Sequence, residues 1–317
     1  MTDGRSPRIA IVGAGAMGCI FGAALADAGV DVTLVDVARP LVEHINEAGV
    51  SILRAGEEKT TDVPATDDPD ALGEVDAAIV FVKCYHTESA AALMQPLVGP
   101  ATVVASLQNG WGNEEILART FGADRVVAGV TYHSGTTLGL GRVSHNAPGP
   151  TFIGPYVGGD IAGCAALGRA LASAGFEVTA TPDVRTEVWK KLVFNAAGLA
   201  AGALTGLDPQ GAAALPEVRE LVSSLAREAV AVARASGYEI EPEERVETIT
   251  AAFERAAPGT KGSMRQDFEA GRRTEVDVVN GAVLREAAER GIDAPLNRAM
   301  VALVKGVEAA RERAPAS

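Results

Sequence analysis

The sequence predicts an α/β protein in two parts, a doubly wound parallel sheet followed by an all-α region. Through the first half of the 317 residues, apolar strand-like runs alternate with helical segments in units of about 30 residues, the pattern of a doubly wound sheet. A glycine-rich turn joins the first strand to the first helix. After Asp183 long helical patterns take over, so we expect domains at 1–183 and 184–317.

Short runs rich in β-branched residues predict the buried strands of the first domain. We expect strands at 8–12, 31–36, 77–83, 102–107, 125–132 and 176–179. We expect helices from Met17 to just before Gly29 and at 41–48 and 88–95. Residues 139–145 and 150–154 look like the arms of an antiparallel hairpin, because a Pro-Gly-rich break separates them.

Helices are predicted throughout the second domain. They are expected at 184–205, 216–236, 242–257, 271–290 and 295–313. Pro216, Pro242 and Pro295 fall near helix starts, where a missing N–H has no energetic consequence.

Composition narrows the classes of function. The chain is 47% hydrophobic and 22% charged, which is enough for a sizeable core. Its net charge of −13 argues against a nucleic-acid surface, which needs clustered Lys and Arg. No apolar run reaches the roughly 18 residues of a membrane span, and no signal-peptide layout is present. We therefore expect a cytoplasmic protein with neither nucleic acid nor a membrane as partner. The spacing of its Cys and His residues predicts no metal site.

The glycine-rich turn predicts a dinucleotide site. It reads Gly13-Ala14-Gly15-Ala16-Met17-Gly18. Gly13 allows the tight turn, Gly15 lets the backbone approach a pyrophosphate, and Gly18 lets the helix pack closely on the sheet. Free N–H groups at the helix start favour phosphate. We therefore expect a Rossmann domain that binds NAD or NADP through Gly13 and residues 15–18.

Asp36 bears on the choice of cofactor. It ends the second predicted strand, where a carboxylate accepts hydrogen bonds from the adenosine ribose and repels a 2′-phosphate. Arg39, three residues further on, is suited to clamping a 2′-phosphate. The sequence favours NAD and leaves NADP open.

Polar residues follow two predicted strands, at the sheet edge where such folds bind ligands. Lys83 ends the third apolar strand, and Asn109 follows the fourth. Asn109-Gly110 is also typical of an ordinary turn. In the second domain Lys191 and Asn195 are four residues apart and share one helix face. Taken alone, Lys191 and Glu275 would be interpreted as solvated surface charges.

Five further motifs carry a resemblance to a known family. They are, in chain order, Val82-Lys83-Cys84-Tyr85, Leu107-Gln108-Asn109-Gly110, Trp189-Lys190-Lys191-Leu192-Val193-Phe194-Asn195, Ser263-Met264-Arg265-Gln266-Asp267 and Thr274-Glu275-Val276-Asp277-Val278-Val279-Asn280-Gly281. With the glycine turn, they make the chain resemble the ketopantoate reductase (2-dehydropantoate 2-reductase) family over nearly its whole length. The resemblance implies that the all-α domain is of the 6-phosphogluconate-dehydrogenase-like type.

The resemblance also implies a role for each matched residue. Lys191 is expected to be the general acid that protonates the carbonyl oxygen as hydride arrives. Such an ammonium suits the task because hydride addition builds negative charge on that oxygen. Glu275 is expected to bind the ligands and to orient Lys191, while Lys83 and Asn109 are expected beside the cofactor. The residues expected to hydrogen-bond the 2-oxo acid are Asn109, Asn195 and Ser263.

Two positions depart from the family's pattern. Leu199 stands where members carry a second Asn, which favours an apolar substrate group. No basic residue directly follows Asp36, where many members have one. The first departure bears on the substrate of the chain, and the second bears on its choice between NAD and NADP.

The expected function is NAD(P)H-dependent reduction of a small-molecule 2-oxo acid, first of all ketopantoate to pantoate on the way to pantothenate. An NAD-dependent D-2-hydroxy acid dehydrogenase acting on a bulkier apolar substrate is the alternative. Other two-domain hydroxyacid dehydrogenases and imine reductases would not need the motifs around Lys191 and Glu275. The same two residues argue against a non-catalytic NAD(P)-sensing protein. A homodimer through the helical domain is compatible with the sequence.

Overall fold

The computed structural model describes residues 7–158 and 161–313. The chain forms two compact units. The first contains the residues up to 108 and 113–185, and the second contains 109–112 and the residues from 186 onward. The first unit is α/β and the second is helical, so the predicted fold class is confirmed.

The α/β unit contains strands and helices in alternation. Its strands are β1 (Arg8–Val12), β2 (Asp31–Val35), β3 (Val50–Arg54), β4 (Glu57–Thr61), β5 (Ala65–Thr66), β6 (Ala77–Val80), β7 (Val103–Ser106), β8 (Val126–Thr131), β9 (Ser134–Gly139), β10 (Arg142–Ala147), β11 (Thr151–Pro155) and β12 (Val178–Ala180). Its helices are α1 (Ala16–Asp27), α2 (Arg39–Ala48), α3 (Pro69–Leu72), α4 (Thr87–Leu93), α5 (Asn113–Phe121) and α6 (Ala162–Ser173).

The main sheet of the described residues has eight strands in the order β12-β11-β8-β7-β6-β1-β2-β5. Neighbouring strands are parallel except β8 and β11, which are antiparallel. Successive side chains of β1 enter different cores. Ile9 and Ile11 pack into one hydrophobic cluster, and Ala10 and Val12 pack into another. A strand buried on both faces explains the unbroken apolar run in the sequence.

The predicted hairpin between 139–145 and 150–154 is wrong. Residues 142–147 form β10, which pairs with β9 in a second sheet of order β4-β3-β10-β9. Residues 151–155 form β11, which pairs instead with β8 in the main sheet. The Pro-Gly-rich stretch between them therefore carries the chain from one sheet to the other, and the true hairpin turn lies earlier, between β9 and β10.

The helical unit is built on one long helix. Its helices are α7 (Val184–Thr205), α8 (Pro209–Ala214), α9 (Pro216–Ala235), α10 (Pro242–Glu254), α11 (Ser263–Glu269), α12 (Asn280–Glu289) and α13 (Pro295–Arg313). Proline begins α8, α9, α10 and α13, as predicted for three of these starts. Small residues of α7, such as Ala196 and Ala200, are fully buried and let neighbouring helices approach closely.

The single helix predicted at 271–290 is broken in the structure. A one-turn 3₁₀ segment, Val276–Val278, precedes α12, and Val279 has φ −104° and ψ −95° between them. The break positions Asn280, which is fully buried and donates through Nδ2 to Ala196 O at 2.8 Å and to Asn297 Oδ1 at 3.0 Å. Helical periodicity continues through this stretch, so the sequence pattern could not reveal the break.

Within the described residues, no helix combines the length and apolar character that a transmembrane span requires. Those residues also contain no group of three His, Cys, Asp or Glu side chains arranged to hold a metal ion.

Candidate active site

The glycine turn connects β1 to the start of α1. Gly13 has φ +102°, and a Cβ there would lie 2.9 Å from Val82 N, so any larger residue is excluded. A Cβ on Gly18 would overlap the carbonyl oxygen of Gly13. These two glycines make α1 begin tightly against the sheet, as the motif predicts.

Gly15 differs from Gly13 and Gly18 in its surroundings. A Cβ on Gly15 would meet no protein atom within 4 Å. Gly15 is the N-cap of α1; no side chain caps the helix there, and its first turn contains no acidic residue. Ala16 and Met17 supply the first backbone N–H groups of α1. Open space in front of uncapped N–H groups suits an anionic pyrophosphate, so this turn fits the predicted cofactor.

Asp36 lies beside this turn, directly after β2. Its Oδ2 accepts the Ala14 N–H at 2.8 Å, and its Oδ1 accepts the Ala38 N–H at 2.9 Å. The carboxylate is thereby fixed next to the glycine turn. Arg39 begins α2 and forms an ion pair with Glu43 at 2.9 Å. Its side chain is 76% exposed and does not share the Asp36 hydrogen bonds.

A buried thiol on α1 forms a hydrogen bond with the glycine turn. Cys19 Sγ donates to Ala14 O at 3.2 Å. Burial, together with the Asp36 charge, raises the pKa of this thiol to about 12. Cys19 is therefore a neutral structural donor at ordinary pH.

A chain of buried side chains holds the segments that follow β6 and β7. Gln108 Nε2 donates to Val82 O at 2.9 Å and to Thr87 Oγ1 at 2.8 Å, and Ser106 Oγ donates to Gln108 Oε1 at 3.1 Å. Lys83 is half-buried in the segment that Gln108 fastens. The predicted strand 77–83 ends earlier than expected, at residue 80, so Lys83 lies in the turn after β6.

Residues 109–112 pack with the helical unit. Gly110 has φ +94°, and a Cβ there would overlap Val278. Trp111 N–H donates to Val278 O at 3.0 Å. The Asn109 side chain of this segment accepts a hydrogen bond from Lys191 Nζ through Oδ1 at 2.9 Å. The Asn109-Gly110 turn is thus held by specific contacts to the helical unit, which an ordinary surface turn lacks.

Lys191 is the strongest candidate for an acid. Its Nζ is bound by Asn109, and burial lowers the pKa of Lys191 to about 8 although the Glu275 charge opposes this shift. Glu275 is 7% exposed and begins the 3₁₀ turn before α12. Lys191, Asn109 and Glu275 therefore form one partly buried, charged group within the helical unit.

The other predicted substrate residues lie on nearby turns of the same unit. Asn195 is buried one turn after Lys191 on α7. Leu199 follows one further turn on, and a Cβ on Gly262 would lie 2.9 Å from its Cδ2. Gly262 directly precedes Ser263, which begins α11. Leu199 and the Ser263 end of α11 are thus neighbours.

Two residues of the motifs have structural partners. Asn280 ties α12 to α7 and α13 through the bonds already described. Asp267 is almost fully buried and pairs with Arg272 at 3.0 Å. Glu228 caps α13 by accepting the N–H groups of Leu296 and Asn297, each at 3.0 Å.

The predicted residues divide between the two units. The glycine turn, Asp36, Arg39 and Lys83 belong to the α/β unit; Asn109, Lys191, Asn195, Leu199, Ser263 and Glu275 belong to the helical unit. Sequence reasoning did not select Trp111 or Glu286, which are joined by a 2.8 Å hydrogen bond. Only the unusual presence of Trp in a glycine-flanked turn offered a signal for them.

An α/β unit with this glycine turn is typical of nicotinamide-dependent oxidoreductases. Two family models match the chain. Ketopantoate reductase PanE/ApbA covers residues 9–158, and Ketopantoate reductase PanE/ApbA C terminal covers residues 183–308. The chain belongs to this ketopantoate reductase family.

Known proteins similar to the chain match it over nearly its full length. A 2-dehydropantoate 2-reductase of Archaeoglobus fulgidus is 34% identical over 96% of this chain and 99% of its own. The crystal structure of a PanE/ApbA family ketopantoate reductase from Ralstonia eutropha is 32% identical, with a TM-score of 0.86, over 96% of this chain and 100% of its own. A D-mandelate dehydrogenase solved with NADH and anilino(oxo)acetate is 25% identical, with a TM-score of 0.90, over 96% of this chain and 99% of its own.

Proposed function

We propose that the chain reduces a 2-oxo acid to the 2-hydroxy acid with a reduced nicotinamide cofactor, with ketopantoate as the first substrate to test. The observation that carries this proposal is the bond from Lys191 Nζ to Asn109 Oδ1, in a partly buried group that includes Glu275. A lysine whose pKa is about 8 holds a proton at neutral pH and releases it readily. This chemistry is what a carbonyl oxygen needs during reduction. Relatives named 2-dehydropantoate 2-reductase support the choice of substrate.

In this proposal the two parts of the chain, 1–183 and 184–317, divide the work. The turn from Gly13 to Gly18 binds the cofactor, which when bound supplies the hydride. Lys191 protonates the carbonyl oxygen, and Asn109 orients the Lys191 ammonium. Asn109, Asn195 and Ser263 bind the carboxylate and carbonyl of the acid, and Glu275 keeps Lys191 oriented and balances its charge. Lys83 and Asn109 contribute to the cofactor site.

We infer that NAD is preferred over NADP. Both Asp36 oxygens are fixed by backbone N–H groups beside the glycine turn, so a 2′-phosphate would approach a stationary negative charge. Arg39, the nearest candidate for a compensating cation, is engaged with Glu43. The NADH-bound D-mandelate dehydrogenase structures also favour this choice.

A second candidate function is the oxidation and reduction of a bulkier apolar 2-hydroxy acid. It is favoured by Leu199, an apolar side chain that lies against Gly262 one turn beyond Asn195. The similarity to D-mandelate dehydrogenase supports the same candidate. A leucine offers a substrate tail no hydrogen bond, so an apolar tail is preferred to a hydroxyl there.

The test is the initial rate of cofactor oxidation with ketopantoate and with phenylglyoxylate, each with NADH and NADPH. Ketopantoate turnover supports the first candidate, and turnover of phenylglyoxylate alone supports the second. Leu199→Asn should shift kcat/KM toward ketopantoate by about tenfold, because a new polar partner contributes about 1.4 kcal/mol. Leu303→Asn, an exposed leucine on α13, is the matched control and should leave the ratio unchanged. No turnover of either acid would contradict the proposal.

A further inference from the structure

Trp111 fastens residues 109–112 to the helical unit. Its side chain is 6% exposed, and its ring lies 5.2 Å from the Trp189 ring and 5.6 Å from the Tyr238 ring. Its backbone N–H binds Val278 O. Since ring and backbone are both held, the position of Trp111 sets the course of the segment that begins at Asn109.

A carboxylate on α12 holds the indole. Trp111 Nε1–H donates to Glu286 Oε1 at 2.8 Å. The other oxygen of Glu286 lies 2.9 Å from Arg290 Nη1, one turn later on the same helix. The Glu286 side chain is only 13% exposed. A hydrogen bond to a carboxylate with little access to water is stronger and more directional than one between neutral groups.

The indole is close in the chain or in space to residues on both sides of the Lys191–Asn109 hydrogen bond. Asn109, the acceptor, lies two residues before Trp111 in the same segment. Trp189, against which the indole packs, lies two residues before Lys191 on α7. The indole therefore links the segment that carries Asn109 to helix α7, which carries Lys191.

We propose that Trp111 and Glu286 are positioning residues for the reduction: Glu286 fixes the indole, and the indole holds Asn109 in place as the acceptor for Lys191. This inference rests on the proposed function, because it gives a task in that reaction to residues that act through Asn109.

Three substitutions test the proposal. Trp111→Phe removes the indole N–H but keeps an aromatic ring, and Glu286→Leu removes the acceptor but leaves the Trp111 side chain itself intact. Each should lower kcat by about tenfold, which corresponds to 1.4 kcal/mol, and leave the KM for reduced cofactor within about twofold. Glu286→Gln keeps an acceptor oxygen and should retain most of kcat. The matched control is Glu289→Gln, whose carboxylate pairs with the same Arg290 at 3.1 Å but is 68% exposed; its kcat should equal that of the wild type.

A double-mutant cycle separates positioning from general stabilisation. In an Asn109→Ala background, Trp111→Phe should cause no further loss of kcat, because the residue through which it acts is gone. Additive losses would show that Trp111 supports the fold alone, and would overturn the proposal. Glu286→Leu in the same background provides the answer if Trp111→Phe does not fold.

A readout that does not need turnover is the pH dependence of Lys191 acetylation, measured by mass spectrometry. Lys190, which pairs with Glu187 and is 37% exposed, is the internal reference. In Trp111→Phe the pKa of Lys191 should rise from about 8 toward the ordinary lysine value, because water reaches the ammonium and relieves its burial. An unchanged pKa would overturn the positioning role. If the wild type reduces no 2-oxo acid, the proposed function fails, and this titration still decides whether Trp111 positions Asn109.

Discussion

At the scale of single residues, the candidate site depends on contacts between residues far apart in the chain. Lys191 and Asn109 are separated by 82 positions, and Lys191 and Glu275 come from different helical segments. Sequence spacing placed Lys191 and Asn195 on one helix face, but neither spacing nor the family resemblance predicted the bond from Lys191 to Asn109, which was expected to bind the 2-oxo acid. No local pattern could distinguish the two adjacent lysines, because Lys190 has the same chemistry as Lys191 but pairs with Glu187 instead of Asn109.

Asp36 carries the prediction about cofactor choice. Asp36→Asn removes the negative charge while one oxygen still accepts a backbone N–H. The ratio of kcat/KM with NADPH to kcat/KM with NADH should therefore rise about tenfold, which corresponds to about 1.4 kcal/mol. The measurement is the ratio of initial rates with the two reduced cofactors at subsaturating concentration. Asp31→Asn, at the exposed start of β2, is the matched control and should leave the ratio unchanged. An unchanged ratio in Asp36→Asn would remove Asp36 from cofactor selection.

At the scale of elements, the same substitution to alanine should have different effects at two glycines near the start of α1. Gly15→Ala meets open space at φ −72°, so the free energy of unfolding should stay near that of the wild type while NADH binding weakens by about tenfold. Gly18→Ala places a methyl group against the Gly13 carbonyl and should cost about 1–3 kcal/mol of stability.

Chemical denaturation and cofactor titration together measure these effects. Gly306→Ala introduces the same methyl group into open space on α13 and should leave NADH binding unchanged. Strong NADH binding by Gly15→Ala would contradict the expectation that a pyrophosphate lies over this turn.

The elements also show which parts of the fold the sequence could predict. β1 was predicted with its observed bounds, because a strand buried on both faces is an unbroken apolar run. β4 was missed because its sequence, Glu-Glu-Lys-Thr-Thr, is exposed nearly throughout and has no apolar alternation. The break before α12 was missed because the helical spacing continues through it, and the contacts of the buried Asn280 with Ala196 and Asn297 are visible only in the folded structure.

At the scale of the whole molecule, the two units carry different parts of the proposed reaction. Gly15 belongs to the α/β unit and Lys191 to the helical unit. A change at Gly15 should therefore affect cofactor binding, whereas a change at Lys191 should affect the chemical step and leave cofactor binding intact. The net charge of −13 makes local cations important, since an anionic acid must approach an acidic protein.

The most direct test is the pH dependence of kcat for 2-oxo acid reduction in the wild type and in Lys191→Met. The protonated lysine is the acid, so the wild-type rate should be full below the pKa of about 8 and fall as pH rises through it. Lys191→Met should lose about 10²–10⁴-fold in kcat together with this inflection, and should bind NADH as the wild type does. Lys190→Met, the adjacent control, should keep both rate and inflection. A Lys191→Met protein with wild-type turnover would contradict the central claim.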